Sequence, residues 1–220
     1  VEGGKIDWAC HANDAKSTIA DTLALSKGVD KALEFYKQHP DETLIIVTGD
    51  HETGGLTIGY AGTDYDTYLT NLKNQKLSYA KFDSDYVSKY KENNTSFSAV
   101  LKDVKRLFGL MTADDKDAEK NPNLVLTEYE YNKLKAAYDK SMSGEKVESQ
   151  EEYLLYGSYE PLTVTITHLL NNKSGVNFAS YAHTGLPVAV YAKGAGASLF
   201  NGYYDNTKIY DKLAALTGVK

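Results

Sequence analysis

The most constraining stretch of the chain is Leu44-Ile45-Ile46-Val47-Thr48, an unbroken apolar run closed by Gly49 and followed at once by Asp50-His51. Such a run suits a central parallel strand covered on both faces, because polar alternation disappears when neither face meets water. In an open α/β sheet, ligands bind beyond the carboxyl ends of the strands, so Asp50 and His51 stand where chemistry is expected. Neighbouring strand residues point to opposite faces, and both reach one ion only if the backbone leaves strand geometry there. Gly49 permits that departure, and Gly54-Gly55 lets the backbone pass close to a crowded site. The same residues also fit a plain exposed turn at a strand end.

The flanking sequence extends the α/β pattern. Leu25, Val29, Leu33 and Tyr36 recur at helical spacing and predict a helix over about 21–38, closed by Pro40-Asp41. Residues 61–160 are rich in Tyr, Lys, Asp and Asn and predict helices over 97–108 and 126–142. Thr127 and Glu130 have the spacing of a capping box for the second of these. No catalytic constellation is visible in this middle segment, which reads as a mostly helical surface insertion. From residue 161 the α/β pattern returns. Leu162, Ile166, Leu169 and Leu170 form a helical stripe despite several β-branched neighbours. Residues 187–192 read as a strand and 206–217 as a closing helix, with Asn206 at its N-cap and Gly218 just past its end.

Composition narrows the function classes. A chain of 220 residues with a formal charge of -6 lacks the basic face that phosphate backbones require, which argues against nucleic-acid binding. No apolar run approaches the roughly 18–20 residues of a membrane span. A single cysteine, Cys10, excludes an intrachain disulfide and is expected to be a small buried hydrophobe. The chain starts at Val1 without the basic and apolar regions of a signal peptide, which reads as an artificial boundary or a cleavage point.

Five histidines are present, at positions 11, 39, 51, 168 and 183. Asp7 and His11 are four apart and share one face of a helical turn, close enough to share a metal ion. Carboxylate oxygen and imidazole nitrogen are both good zinc ligands. His183 lies in Tyr181-Ala182-His183-Thr184-Gly185, before the strand expected at 187–192, and Glu2 precedes Gly3-Gly4. Taken singly, each also fits a structural or surface role. His39 and His168 carry no motif and read as structural or exposed.

Together the motifs resemble those of alkaline phosphatases. Val1-Glu2-Gly3-Gly4-Lys5-Ile6-Asp7-Trp8-Ala9-Cys10-His11 is similar to the segment that supplies ligands to two metal sites in that family. Thr48-Gly49-Asp50-His51-Glu52-Thr53-Gly54-Gly55 resembles its second metal motif, and Ala182-His183-Thr184-Gly185 its last. The likeness is firm over about 1–60 and 160–218 and weak between.

The resemblance implies part of a three-layer α/β/α sandwich, with 1–60 and 161–220 as metal-binding core and 61–160 as the helical insertion. It implies that Asp7, His11 and His183 bind one zinc ion. Asp50 and His51 would bind a second, completed by an aspartate from outside this sequence. Glu2 would join a third site, with magnesium the default, although Trp8 occupies a position that varies with the third-site metal. In the family a serine attacks a phosphate monoester, and an arginine clamps the phosphate oxygens. No Asp-Ser-Ala-type nucleophile segment occurs here, and Arg106, the one arginine, falls in the middle segment. The expectation is therefore a carboxyl-terminal half, inactive alone, from an extracytoplasmic enzyme. Half a sandwich exposes sheet edges, so self-association or a homo-oligomer is expected. The same layout is compatible with a related phosphodiesterase, phosphomutase or sulfatase, or with a non-catalytic zinc-binding domain.

Overall fold

The computed structural model describes residues 1–219. In chain order its helices and strands are α1 (Gly4–His11), α2 (Ala15–Gln38), β1 (Leu44–Thr48), β2 (Glu52–Thr53) and β3 (Thr57–Ile58). A helical middle follows with α3 (Tyr79–Phe82), α4 (Ser88–Asn93), α5 (Phe97–Phe108), α6 (Glu128–Ser143) and α7 (Gln150–Tyr156). The chain then forms α8 (Pro161–Lys173), β4 (Val176–Asn177), β5 (His183–Thr184), β6 (Val190–Gly194) and α9 (Lys208–Thr217).

The main core gathers on α8. Leu162, Ile166 and Leu170 are fully buried, and Phe82, Val100, Val104, Phe108 and Leu134 of the middle helices close over them. Burying each large aliphatic contributes about 1.5–3 kcal/mol, which explains why α8 is helical although Thr-Val-Thr-Ile-Thr alone favours a strand. The threonines are accommodated locally: Thr167 donates to the Val164 carbonyl at 2.9 Å, and Thr163 donates to Asp83. The capping box at Thr127 and Glu130 is formed, with both reciprocal hydrogen bonds in place.

The strands differ from expectation. β1 has the expected bounds, but its one partner among the described residues is β6, and the pairing is antiparallel, from Leu44↔Gly194 to Thr48↔Val190. Leu44 to Val47 are half-buried and Thr48 is exposed, with α2 packed against the strand and a broad apolar cleft beside it. Within residues 1–219 the apolar run is thus covered by a helix and a cleft wall. β6 starts at Val190, three residues later than predicted, because β1 ends at Thr48 and offers residues 187–189 no ladder; Pro187 has no N–H to contribute. Helix α2 begins at Ala15, six residues before the expected start, with Asp14 as its N-cap. Helix α9 begins at Lys208 with Thr207 at the cap position; Asn206 does not cap it, and the Asp205 carboxylate takes the Thr207 N–H at 3.0 Å. Cys10 is buried and free, and burial raises its thiol pKa.

Two half-buried titratable groups act against each other. Burial, with Lys133 nearby, pushes the His168 imidazole down to about 4, so its neutral form belongs to the fold. Stability from this group is full above pH 6.5 and falls by up to about 3 kcal/mol as pH drops towards 4. Burial pushes Asp83 up to about 6, offset in part by the Thr163 hydrogen bond, so the fold gains as Asp83 protonates over the same interval. On acidification from pH 6.5 to 4, Asp83→Asn should lose about 2–3 kcal/mol more than the parent, and His168→Gln about as much less. Urea unfolding at both pH values measures the two differences; equal losses in all three proteins would contradict the assignment.

Candidate metal centre

Three chain segments meet at one rim. Helix α1 carries Asp7 and His11 one turn apart, with His11 Nε2 at 3.4 Å from Asp7 Oδ1. The chain leaving β1 turns at Gly49 and presents Asp50 and His51. β2 then pairs antiparallel with β5, in the register Glu52↔Thr184 and Thr53↔His183, which brings His183 to the same place from far along the chain. His183 Nε2 lies 3.9 Å from Asp7 Oδ1, and its ring stacks on that of His51 with centroids 3.4 Å apart.

The loops that hold these side chains are fastened by hydrogen bonds between distant segments. Glu52 accepts from the Gly55 N–H at 3.0 Å and from the Thr184 hydroxyl, so one carboxylate ties β2, its turn and β5. Gly54 donates to the Ala182 carbonyl at 2.9 Å and accepts from Ala179 N–H at 2.8 Å. Asn13, in the left-handed region at φ 50°, ends α1 and spans the gap to the His183 segment. Its amide donates to the carbonyls of Cys10 and Ser180, both at 2.9 Å, and its Oδ1 accepts from His168 Nε2 at 2.9 Å. The next residue, fully buried Asp14, accepts from Ser17 N–H, Gln75 Nε2 and Tyr79 N–H at 2.8–2.9 Å, joining the rim to the helical core. Burial still raises the Asp14 carboxyl pKa against those hydrogen bonds.

The donor geometry fits divalent cations. Two ligands on one tetrahedral zinc, each at about 2.1 Å, stand about 3.4 Å apart. The Asp7–His11 pair at 3.4 Å and the Asp7–His183 pair at 3.9 Å match that spacing, and so does Asp50 Oδ2 with His51 Nε2 at 3.5 Å. His11 has its other nitrogen anchored, with Nδ1 at 2.6 Å from the Tyr181 carbonyl. A carbonyl only accepts, so Nδ1 carries the proton and Nε2 offers its lone pair towards Asp7. Asp7, His51 and His183 also each bring one donor atom within 4.8 Å of the others, so the two ligand groups abut. Glu2 stands apart from this cluster. It lines the mouth of the same cleft, of about 1240 Å³, with Asp7, Asp50 and His51 on the wall, and its carboxylate folds back over Gly4 at the start of α1.

Residue reading alone passed over Asn13, Asp14, Glu52, Thr53 and Thr184. Asp14 had a legible signal, a favoured N-cap residue directly before helix-forming sequence. The others act across 46 to 167 positions of chain, and no local pattern announces such partners.

The family model described as Alkaline phosphatase matches residues 1–219. "Alkaline phosphatase 4" of Bacillus subtilis is 30% identical over 209 residues, covering 94% of this chain and 36% of that protein. A cold-active alkaline phosphatase from a psychrophilic Shewanella superposes with a TM-score of 0.70 at 27% identity, covering 98% of this chain and 44% of that one. The Thermus thermophilus alkaline phosphatase gives a TM-score of 0.71 at 22% identity, over 100% of this chain and 43% of that one, and so bears on the fold. The chain thus has the α/β fold of these enzymes and spans little more than a third of the length of the curated relative.

Gly54 tests the fastening. At φ 84°, an added Cβ would stand 2.8 Å from the Phe178 ring and 3.0 Å from the Cys10 carbonyl. Gly54→Ala should cost about 2 kcal/mol or more, whereas Gly185→Ala, which meets nothing within 4 Å, should change stability by no more than about 0.5 kcal/mol. Chemical denaturation of the two variants gives the comparison.

Proposed function

The chain belongs to the alkaline phosphatase family, and from that premise we propose that it supplies most of the metal ligands of a phosphomonoesterase active site. The observation that carries this reading is the meeting of Asp7 and His11 with His183, from opposite ends of the sequence, at ligand spacing. In this reading Asp7, His11 and His183 hold one zinc ion, and Asp50 and His51 hold a second with an aspartate from outside residues 1–220. Glu2, on the same cleft, contributes to a third site of magnesium type. Residues 1–60 and 161–220 form the metal-binding core, and residues 61–160 are a mostly helical addition that braces it through α8.

Divalent ions at such a site lower the pKa of an attacking hydroxyl and offset the charge on a transferring phosphoryl group. The chain's own part is to hold the donors still. Asp7 and Asp50 bring negative charge that balances a cation, and His11 is fixed with Nε2 outward by the Tyr181 carbonyl. Because no nucleophile motif occurs in this sequence, the serine and the phosphate-clamping arginine belong to residues outside it. Arg106, paired to Asp103 on the surface of α5, takes no part. The substrate is a phosphate monoester. An extracytoplasmic location and a homo-oligomeric or self-associating state go with the proposal.

Two measurements check it. Elemental analysis after dialysis against zinc should find about one zinc ion bound per folded chain, and His183→Ala should lose it. A folded parent chain free of zinc would count against the ligand assignment. Residues 1–220 alone should not hydrolyse an aryl phosphate above background, and turnover that survives removal of contaminating enzyme would refute the missing-nucleophile reading.

A further inference from the structure

We propose that Thr53 is a positioning residue that joins the two ligand groups, fixing Asp7 and His51 together through one hydroxyl. The inference rests on the metal-site reading above. Thr53 is buried, at 6% exposure, and lies opposite His183 in the β2–β5 register. Its hydroxyl donates to Asp7 Oδ1 at 2.5 Å, the oxygen that also faces His11 and His183. Thr53 Oγ1 itself lies 3.2 Å from His51 Nδ1.

A threonine hydroxyl has one proton and two lone pairs. With that proton committed to a carboxylate, which only accepts, Thr53 Oγ1 can meet His51 Nδ1 only as an acceptor. His51 Nδ1 therefore carries the ring proton, and Nε2 is left with a free lone pair. Nε2 lies 3.5 Å from Asp50 Oδ2, so two lone-pair donors stand side by side where a cation would bring them together. The neighbouring Glu52–Thr184 hydrogen bond holds the strand pair in register, so Thr53 cannot shift along β2 without breaking it. One buried hydroxyl thus sets the orientation of Asp7 and the tautomer of His51. Partners of ligands in this position commonly change metal affinity by about 10–100-fold when removed.

Thr53→Val keeps the shape and deletes the hydroxyl, and Thr53→Ser restores it. Chelator competition should show zinc binding weakened about 10–100-fold in Thr53→Val and changed by no more than about 3-fold in Thr53→Ser. Two-bond 1H–15N correlation spectra of the metal-free protein at alkaline pH, with His51 assigned through His51→Gln, should place the His51 proton on Nδ1 in the parent. In Thr53→Val the proton should move to Nε2. Unchanged zinc affinity in Thr53→Val overturns the proposal, as does an Nε2-protonated His51 in the parent, which decides the matter even if Thr53→Val does not fold. A parent that binds no zinc would sink the metal-site reading instead, while the tautomer still reports on Thr53.

Discussion

The rim depends on one buried amide. Asn13 takes a left-handed conformation that closes α1, and its side chain then bonds the carbonyl of Ser180, 167 residues away, while His168 saturates its oxygen. A buried amide with one of these partners removed would strand a donor or acceptor, at a cost of about 1–3 kcal/mol. That penalty makes the arrangement specific: no shifted docking of the 178–184 segment on α1 satisfies the same groups. The His11–Tyr181 hydrogen bond lies in the shadow of this anchor, and it is this bond that turns the His11 lone pair outward. Position, tautomer and ligand geometry follow in that order.

Asp7 is contacted by Thr53 and faced by two imidazoles, and Asp50 is faced by one. The stacking of His51 on His183 brings the two side-chain groups into contact at a single wall, with Thr53 hydrogen-bonded to a member of each.

Much of this was legible from the residues. Helical spacing gave α2 and α8, the capping box gave α6, and the apolar run gave the bounds of β1. Each is a local signal, set by periodicity or by partners three or four positions apart. The pairing of β1 was not legible, since an apolar run reports that its faces are covered and not by what. The start of β6 was missed because a strand's length is fixed by its partner. The candidate site residues are legible as motifs, and the motifs' order along the chain suggests that they belong together. Their support was hidden, because Asn13, Glu52 and Thr184 look like ordinary polar loop residues until the distant strand is in place.

The hydrogen bond between His11 and Tyr181 spans 170 positions, and the core on α8 lies within that span. Joining the two ends closes a long loop, whose entropic cost grows only slowly with length. What holds the ends together is therefore the set of contacts at the junction itself, above all the buried Asn13 and Asp14 hydrogen bonds. A cation held between Asp7 and His183 would add a removable cross-link to those contacts, stabilising the joined ends in proportion to the logarithm of its free concentration above its dissociation constant.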